Sequence, residues 1–151
     1  METLILITLI AIGLYIWNKR SIQKFNSLTP DGHIQADGKF SFEVVGENSY
    51  QENLKQICGQ PTHQGYNLDK IALLILEDDN PYDNQAVRIS IDGLTVGYLP
   101  RAIAREYRQK LAETGKPNIL CSCPALIRGG WNRGKNDKGP FGVLLDLPRN
   151  R

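Results

Sequence analysis

The sequence predicts a mainly β domain with short helices, an α+β fold, behind one N-terminal transmembrane helix. Several short runs alternate apolar and polar residues, as half-buried strands do. Two of these runs are separated by Asp92-Gly93, a pair typical of tight hairpin turns. Residues 3–17 are instead free of charge and mostly apolar. A chain of 151 residues has room for one domain of ordinary size plus such an appendage.

The N-terminal segment, residues 1–20, is predicted to be a single-pass membrane anchor. Residues 3–17 carry no charge, and Lys19 and Arg20 follow them. This run would lie in the lipid bilayer, and the basic residues behind it predict that residues 18–151 are cytoplasmic, with the N-terminus outside. A cleavable signal peptide would need a positive start and a small-residue cleavage site, and neither is present. A buried core helix is disfavoured because the segment is apolar all round.

Behind the anchor, residues 21–39 are expected to form a linker, since they are mostly polar and include proline and glycine. The folded domain is expected at residues 40–147, followed by a short tail at residues 148–151. Its first strand is predicted at residues 40–46, where apolar and polar side chains alternate.

Two helices are predicted within the domain. Ser49 and Glu52 fit a capping box, with Ser49 as the N-cap of the first helix. Pro100 fits the first turn of the second helix, which is predicted to extend to Leu111. Spacings of three and four residues put the arginines of this second helix on one exposed face: Arg101, Arg105 and Arg108.

The centre of the domain is predicted to be a hairpin that is entered through a polar corner. An apolar strand at Ile71–Leu76 leads through acidic residues to Asn80-Pro81-Tyr82-Asp83. The hairpin strands are predicted at residues 86–91 and 94–99. A corner with an ionisable side chain and an aromatic ring on a rigid turn suits a small binding site.

Two further strands are predicted to complete the domain. Residues 118–127 alternate as a strand, and Pro124 suggests a sheet edge or a bulge. Residues 128–140 are expected to form a Gly-rich basic loop around Trp131, and residues 141–147 the last strand.

Charge is divided unevenly along the domain. Residues 40–100 hold three Lys or Arg against nine Asp or Glu, whereas residues 101–138 hold nine against three. The second part therefore favours an anionic partner.

The three cysteines are predicted to be free thiols. Cys121 and Cys123 alternate on one face of a strand, a poor geometry for a mutual disulfide, and reduced thiols suit the cytosol. The chain has no CxxC or HxxxH spacing, so neither zinc nor any other cofactor is predicted.

Catalytic motifs are missing from the sequence, which has no phosphate-binding glycine loop, HExxH or GxSxG. The chain is therefore not predicted to be an enzyme. Carboxylates at Glu77, Asp78, Asp79 and Asp83 leave a metal-dependent nuclease or hydrolase as the lesser alternative. Adjacent acids on an extended segment point to opposite faces, so only some of them could share a metal ion.

The side chains fit the binding of single-stranded nucleic acid better, because that ligand needs cations along its backbone and aromatic rings under its bases. The candidate cations are Arg101, Arg105, Arg128, Arg133, Lys135 and Lys138. The candidate stacking rings are Tyr50, Tyr82, Tyr98 and Trp131. Asp83 would repel a phosphate, so it suggests instead a hydrogen bond accepted from a hydroxyl, as at a free sugar terminus.

Three motifs resemble the HIRAN domain family, in kind and in order. They are Val45-Gly46 before a short polar helix, DDNPYDNQAV at residues 78–87, and VGYLPRAIA at residues 96–104. The resemblance covers about residues 40–147. It implies a small, modified OB-like or SH3-like β-barrel with one or two helices. It also implies, from the family's DNA-binding members, capture of single-stranded DNA by its 3′-hydroxyl end.

By position, the resemblance implies a role for each residue of the corner. Asp83 would accept the hydrogen bond of the terminal hydroxyl, and Tyr50 would stack on the terminal base. Asn80 and Tyr82 would shape the corner around them.

Two positions after the corner match the family, and two positions before it depart from the family. Tyr98 stands where a histidine of the family lies near the DNA, and Arg101 matches a lysine that faces phosphate. The DNA-binding members have an arginine and a second aromatic residue where this sequence has Asn48 and Ser49. The loss of one phosphate contact and one stacking surface motivates a second hypothesis, a membrane-tethered protein-interaction module on the same fold with an unidentified protein partner.

Overall fold

The computed structural model describes Thr8, residues 10–13 and residues 28–149. Thr8 and residues 10–13 are helical, while the remainder of the predicted anchor and the first part of the predicted linker lie outside the described residues. Among the residues that are described, no helix is both long and apolar enough to cross a membrane.

Between residues 28 and 149 the chain forms seven strands and three short helical segments. The strands are β1 (Gly32–His33), β2 (Phe42–Glu43), β3 (Tyr66–Glu77), β4 (Ala86–Ile91), β5 (Leu94–Tyr98), β6 (Cys121–Asn132) and β7 (Lys138–Leu145). The helical segments are a 3₁₀ helix (Glu47–Tyr50), α1 (Gln51–Cys58) and α2 (Arg101–Glu113). The prediction of a mainly β domain with short helices is confirmed.

The strands form one curled sheet in the order β2-β7-β6-β3-β4-β5, in which all neighbours are antiparallel. β1 pairs with β6 in parallel and lies within the predicted linker. The curl brings the two ends of the sheet together, because Val45, just after β2, bridges Tyr98 at the end of β5. Each of these two residues donates its backbone N–H to the other's carbonyl at 2.9 Å. The sheet is thus a half-barrel that is joined at one point.

The predicted hairpin is confirmed, and a bulge shapes its second strand. Asp92 and Gly93 both have positive φ, 50° and 78°, as the favoured two-residue hairpin turn requires. Past the turn, Ser90 pairs with Thr95 but Ile89 pairs with Gly97, so one residue of β5 is extra. A bulge bends its strand and re-aims the side chains beyond it. Tyr98 is the next residue of that strand.

The core lies inside the curl and follows the alternation of the strands. On β4, Val87, Ile89 and Ile91 are fully buried, as inward positions of period two should be. The helices cover the open sides of the sheet with Leu54 of α1 and Ala104 of α2, both buried. Burial of each large aliphatic side chain stabilises the fold by about 1.5–3 kcal/mol.

The predicted start of the first helix is wrong. Gly46, at φ 80°, begins a 3₁₀ turn, and the Ser49 N–H donates to its carbonyl at 3.0 Å. Ser49 therefore lies inside that turn, and the N-cap of α1 is Tyr50, which makes no side-chain capping bond. The predicted strand at residues 40–46 is correspondingly reduced to β2.

The expectation of a sheet edge at Pro124 is also wrong, because β6 lies between β3 and β7. The Pro124 carbonyl accepts a hydrogen bond from the Asp146 N–H at 2.9 Å. In an extended strand the N–H and C=O of one residue point to the same side, so the missing N–H of Pro124 does not face β3. It faces the junction between β1, which pairs up to Ser122, and β7, which pairs from Ala125.

The predicted basic loop at residues 128–140 is mostly strand, and only residues 133–137 connect β6 to β7. Three of its four glycines, Gly129, Gly130 and Gly139, serve close packing. A Cβ on Gly139 would overlap the Trp131 ring, and one on Gly129 would overlap the Pro140 carbonyl. Glycine inside a strand often marks such a close approach.

All three cysteines are free, as predicted. Cys121 and Cys123 are buried, and Cys58 is half-buried. Burial, and secondarily the Asp146 carboxylate, raises the pKa of Cys123 to about 12. A thiol so buried and protonated is an inert packing group.

Candidate functional site

The polar corner, the end of β5 and the start of α2 surround an open pocket of about 410 Å³. Its lining includes the apolar side chains of Val45, Ala86, Leu99 and Ala104. Six of the predicted site residues also line it: Tyr50, Asn80, Tyr82, Asp83, Tyr98 and Arg101. Sequence reasoning did not identify this apolar part of the lining, since those residues look like ordinary core positions.

Asn80 holds the corner in shape. Its side-chain oxygen accepts from the backbone N–H of Tyr82 at 2.9 Å and of Asp83 at 3.2 Å. Its amide nitrogen donates to Glu77 Oε2 at 2.8 Å. Only a side chain that both accepts and donates can make this set of bonds, which favours asparagine over aspartate here.

Glu77 and Arg88 support the corner from the sheet. Arg88 Nε lies 2.6 Å from Glu77 Oε1, and Arg88 also donates to Thr95 Oγ1 at 3.1 Å. Both charged side chains are mostly buried, at 12% and 20% exposed. Their pairing ties β3, β4 and β5 together beneath the corner. In the sequence, this role of Arg88 was indicated only by the position of a charged residue between apolar neighbours.

Asp83 is a carboxylate with its two oxygens in different environments. Oδ1 accepts from the Gln85 N–H at 3.0 Å, a bond that closes the turn. Oδ2 lies 3.6 Å from Arg101 Nε. The Asp83 side chain is only 16% exposed, whereas that of Arg101 is 73% exposed. An ion pair with so solvated a partner is weak, so Oδ2 keeps the capacity to accept a hydrogen bond from a ligand.

Tyrosine rings form the walls of the pocket. The Tyr50 and Tyr98 ring centroids are 6.4 Å apart, and the rings are tilted by 48°. Burial, followed by the Glu77 carboxylate, raises the pKa of Tyr98 well above its ordinary value, so its hydroxyl stays protonated and can donate. Tyr82 stands out from the corner with 91% of its surface exposed. An exposed ring of this kind is free to stack on a ligand.

The three arginines of α2 do not all lie on an exposed face, contrary to the prediction. Arg101 and Arg105 are exposed, and Arg105 donates to the Arg101 carbonyl at 3.5 Å. The Arg108 side chain is only 18% exposed. It donates to Asp78 Oδ1 at 2.6 Å and to the carbonyls of Gln85 and Ala86 at 2.9 Å each. Arg108 therefore fastens α2 to the residues on either side of the corner.

Trp131 lies outside the corner pocket. It lines a separate groove together with Lys55 and Lys138. Its Nε1 donates to Asp137 Oδ1 at 2.9 Å, and the Arg133 guanidinium lies 5.8 Å from its ring centroid. These contacts account for the ring as a local packing element.

The acidic residues of the corner do not form a metal cluster. In the described part of the chain, no group of three or more His, Cys, Asp or Glu side chains could hold a metal ion. Glu77 pairs with Arg88, and Asp78 with Arg108. Arginines thus neutralise these two carboxylates, and this arrangement lends no support to the metal-dependent nuclease alternative.

Comparison of the chain with protein-family models, curated proteins and solved structures found no significant match to any of them.

Proposed function

We propose that this protein carries a HIRAN-like domain, an OB-like or SH3-like β-barrel, whose corner pocket binds the free 3′-hydroxyl end of single-stranded DNA. The observation that carries the proposal is the Asp83 carboxylate. One of its oxygens is committed to the turn and the other lies between tyrosine walls and an exposed arginine.

The proposed chemistry divides the ligand between these groups. The terminal hydroxyl donates to Asp83 Oδ2, and a terminal base stacks on Tyr50 or Tyr82. Arg101 and Arg105, one helical turn apart, face the phosphates that precede the end. A 3′-phosphate would instead bring a charge of about −1.5 to −2 against the carboxylate. The pocket would therefore select a hydroxyl end over a phosphorylated one.

The test is a fluorescence anisotropy titration of the full-length chain with two oligonucleotides that differ only at the 3′ end. We expect the hydroxyl end to bind at least about tenfold more tightly than the phosphate end, a difference of roughly 1.4 kcal/mol. Asp83→Asn keeps an oxygen for the Gln85 N–H and removes the charge. We expect this variant to reduce the preference to about twofold or less.

Asp79→Asn is the matched control, since Asp79 is an exposed neighbour that undergoes the same change of charge. It should leave the preference for the hydroxyl end intact. Equal affinity of the wild-type chain for both oligonucleotides would refute the proposal. An effect of Asp79→Asn equal to that of Asp83→Asn would reduce the role of Asp83 to general electrostatics.

We further propose that residues 1–20 anchor this domain to the cytoplasmic face of a membrane. The support is the charge-free run at residues 3–17, followed by Lys19 and Arg20. The full-length chain should stay with cell membranes through an alkaline carbonate wash. Ile10→Lys with Ile12→Lys should release it, because each central lysine costs about 2.5–3.5 kcal/mol on insertion. Recovery of the wild-type chain in the soluble fraction of the carbonate wash would contradict the proposed anchor.

A protein-interaction module is the second candidate function. Asn48 and Ser49 are exposed and offer neither a cation nor a ring, while Val45 and Tyr82 expose apolar surface at the rim of the pocket. Such a rim suits a peptide as well as a base. If neither oligonucleotide binds and a nuclease-treated pull-down recovers one protein, this candidate replaces the first.

A further inference from the structure

The outer face of the sheet, away from the core, carries an apolar patch where β3, β6 and β7 lie side by side. This outer patch consists of Ile71, Leu73, Pro124, Leu126 and Leu144. The strand register makes it continuous, since Ile71 lies opposite Pro124 and Leu126 lies opposite Leu144. The residues that alternate with them face the core and are buried: Ala72, Ala125, Val143 and Leu145.

The outer patch is accessible within the described part of the chain. Ile71 exposes 53% of its surface, and the other four residues are half-buried. None of the five packs against the core cluster. An antiparallel sheet whose outer face meets water normally carries polar side chains there. Adjoining apolar positions on three neighbouring strands are instead typical of an interaction surface.

One acid and one base border the outer patch at the same end. Asp69 lies opposite Leu126, is exposed, and has no ion-pair partner among the described residues. Arg128 lies two residues beyond Leu126 and pairs with Glu43 at 3.4 Å. The Arg128 and Glu43 side chains are 53% and 62% exposed, so this pair is weak and leaves guanidinium donors free. The border therefore offers an unpaired negative charge on β3 and an available positive charge on β6.

We propose that the outer patch is the interface of a symmetric dimer, in which a second copy of the chain packs its own outer patch face to face on the first. A two-fold interface makes each contact twice, because residue i of one copy meets residue j of the other and the reverse. With the axis along the strands, between β3 and β6, β3 of each copy covers β6 of the other. Asp69 then faces Arg128 of the second copy, at both ends of the symmetry operation. Two sheets pack in this aligned way about 10 Å apart.

The charges of the border favour this occupant over an anionic one. Asp69 and Glu43 would repel a nucleic acid or an anionic lipid surface, whereas a second copy supplies an opposite charge for Asp69 and for Arg128. The dimer does not depend on the ligand proposed for the corner pocket, which lies elsewhere on the domain.

The test measures energy transfer in cells between full-length chains that are fused at the C-terminus to a donor or an acceptor fluorescent protein, over a range of expression levels. Asp69→Arg and Arg128→Asp each put two like-charge pairs into their own dimer, so each should weaken association at least about tenfold. A donor-labelled Asp69→Arg chain and an acceptor-labelled Arg128→Asp chain together restore both opposite-charge pairs. Their mixed dimer should return to within about threefold of the wild-type association.

Asp79→Arg is the matched control for charge, since Asp79 is an exposed acid beyond the other end of β3. It should leave association of the chain with itself unchanged, and it should restore Arg128→Asp less well than Asp69→Arg does. Ile71→Asp should weaken association at least about tenfold, because the dimer would bury an unpaired charge. Ile71 is exposed in the single chain, so this variant should keep the wild-type urea midpoint.

Three results would overturn the proposal. The first is wild-type energy transfer no greater than chance proximity gives at the same density. The second is association that survives Ile71→Asp, which would assign the contact to another part of the chain. The third is a mixed pair that associates no better than either charge variant does with itself. Should Ile71→Asp not fold, the mixed pair still decides the question.

Discussion

Gly97→Ala is expected to lower the free energy of unfolding by about 3 kcal/mol. Gly97 lies at the bulge of β5 with φ 149°, a conformation that side-chain-bearing residues rarely adopt. A Cβ at this position would overlap Val44 Cγ1 and lie 2.6 Å from the Val45 carbonyl oxygen. That carbonyl accepts the Tyr98 N–H, so the clash falls on the Val45–Tyr98 bridge that joins the two ends of the sheet.

Urea denaturation of the full-length chain measures this loss as a lower midpoint at unchanged slope. Gly142→Ala is the matched control: it also adds one methyl group within a strand, but at an ordinary φ and with no atom within 4 Å. It should stay within about 0.5 kcal/mol of the wild-type chain. If both variants lose the same stability, the closing bridge carries no special weight in the fold.

Features that depend on neighbours in the chain were predictable from the sequence. The Asp92-Gly93 pair determines a turn with two positive φ angles, and the alternation of β4 determines which side chains face the core. The corner at Asn80–Asp83 is likewise local, since Asn80 bonds to residues within three positions of itself. These elements therefore form nearly where the sequence predicts them.

Features that depend on distant partners were not predictable in the same way. Ser49 has the residue type of an N-cap, but Gly46 turns the chain earlier, so the capping pattern does not form. Arg108 has the spacing of a solvent-exposed face, yet its partners flank the corner, more than twenty residues away. The glycines around Trp131 have the composition of a loop, but Gly139 makes room for the Trp131 ring and Gly130 for the Phe141 ring inside a strand pair. In each case a tertiary contact overrides the local preference.

Arg108→Ala is expected to lower the free energy of unfolding by about 2 kcal/mol. The exposed Asp78 contributes little to this figure, because water screens that ion pair. Most of the loss comes from the two carbonyls, of Gln85 and Ala86, that Arg108 satisfies with a charged donor. Arg105→Ala is the matched control on the same helix and should change stability by less than about 0.5 kcal/mol.

The same pair of variants separates support of the corner from direct contact with its ligand. Without Arg108 the corner loses its tie to α2, so the amides of residues 78–86 should exchange hydrogen faster in the native state, whereas Arg105→Ala should leave them protected. Arg108→Lys should recover little of this protection, because a single ammonium cannot reproduce the forked donors of a guanidinium. If the proposed DNA site is correct, Arg108→Ala should also reduce the preference for a 3′-hydroxyl, since Asp83 and Arg101 would no longer be held together. Arg105→Ala should instead weaken both oligonucleotides alike, because phosphate contacts are independent of the chemistry of the end. Unchanged amide exchange in Arg108→Ala would mean that Asn80 and Glu77 hold the corner without help from the helix.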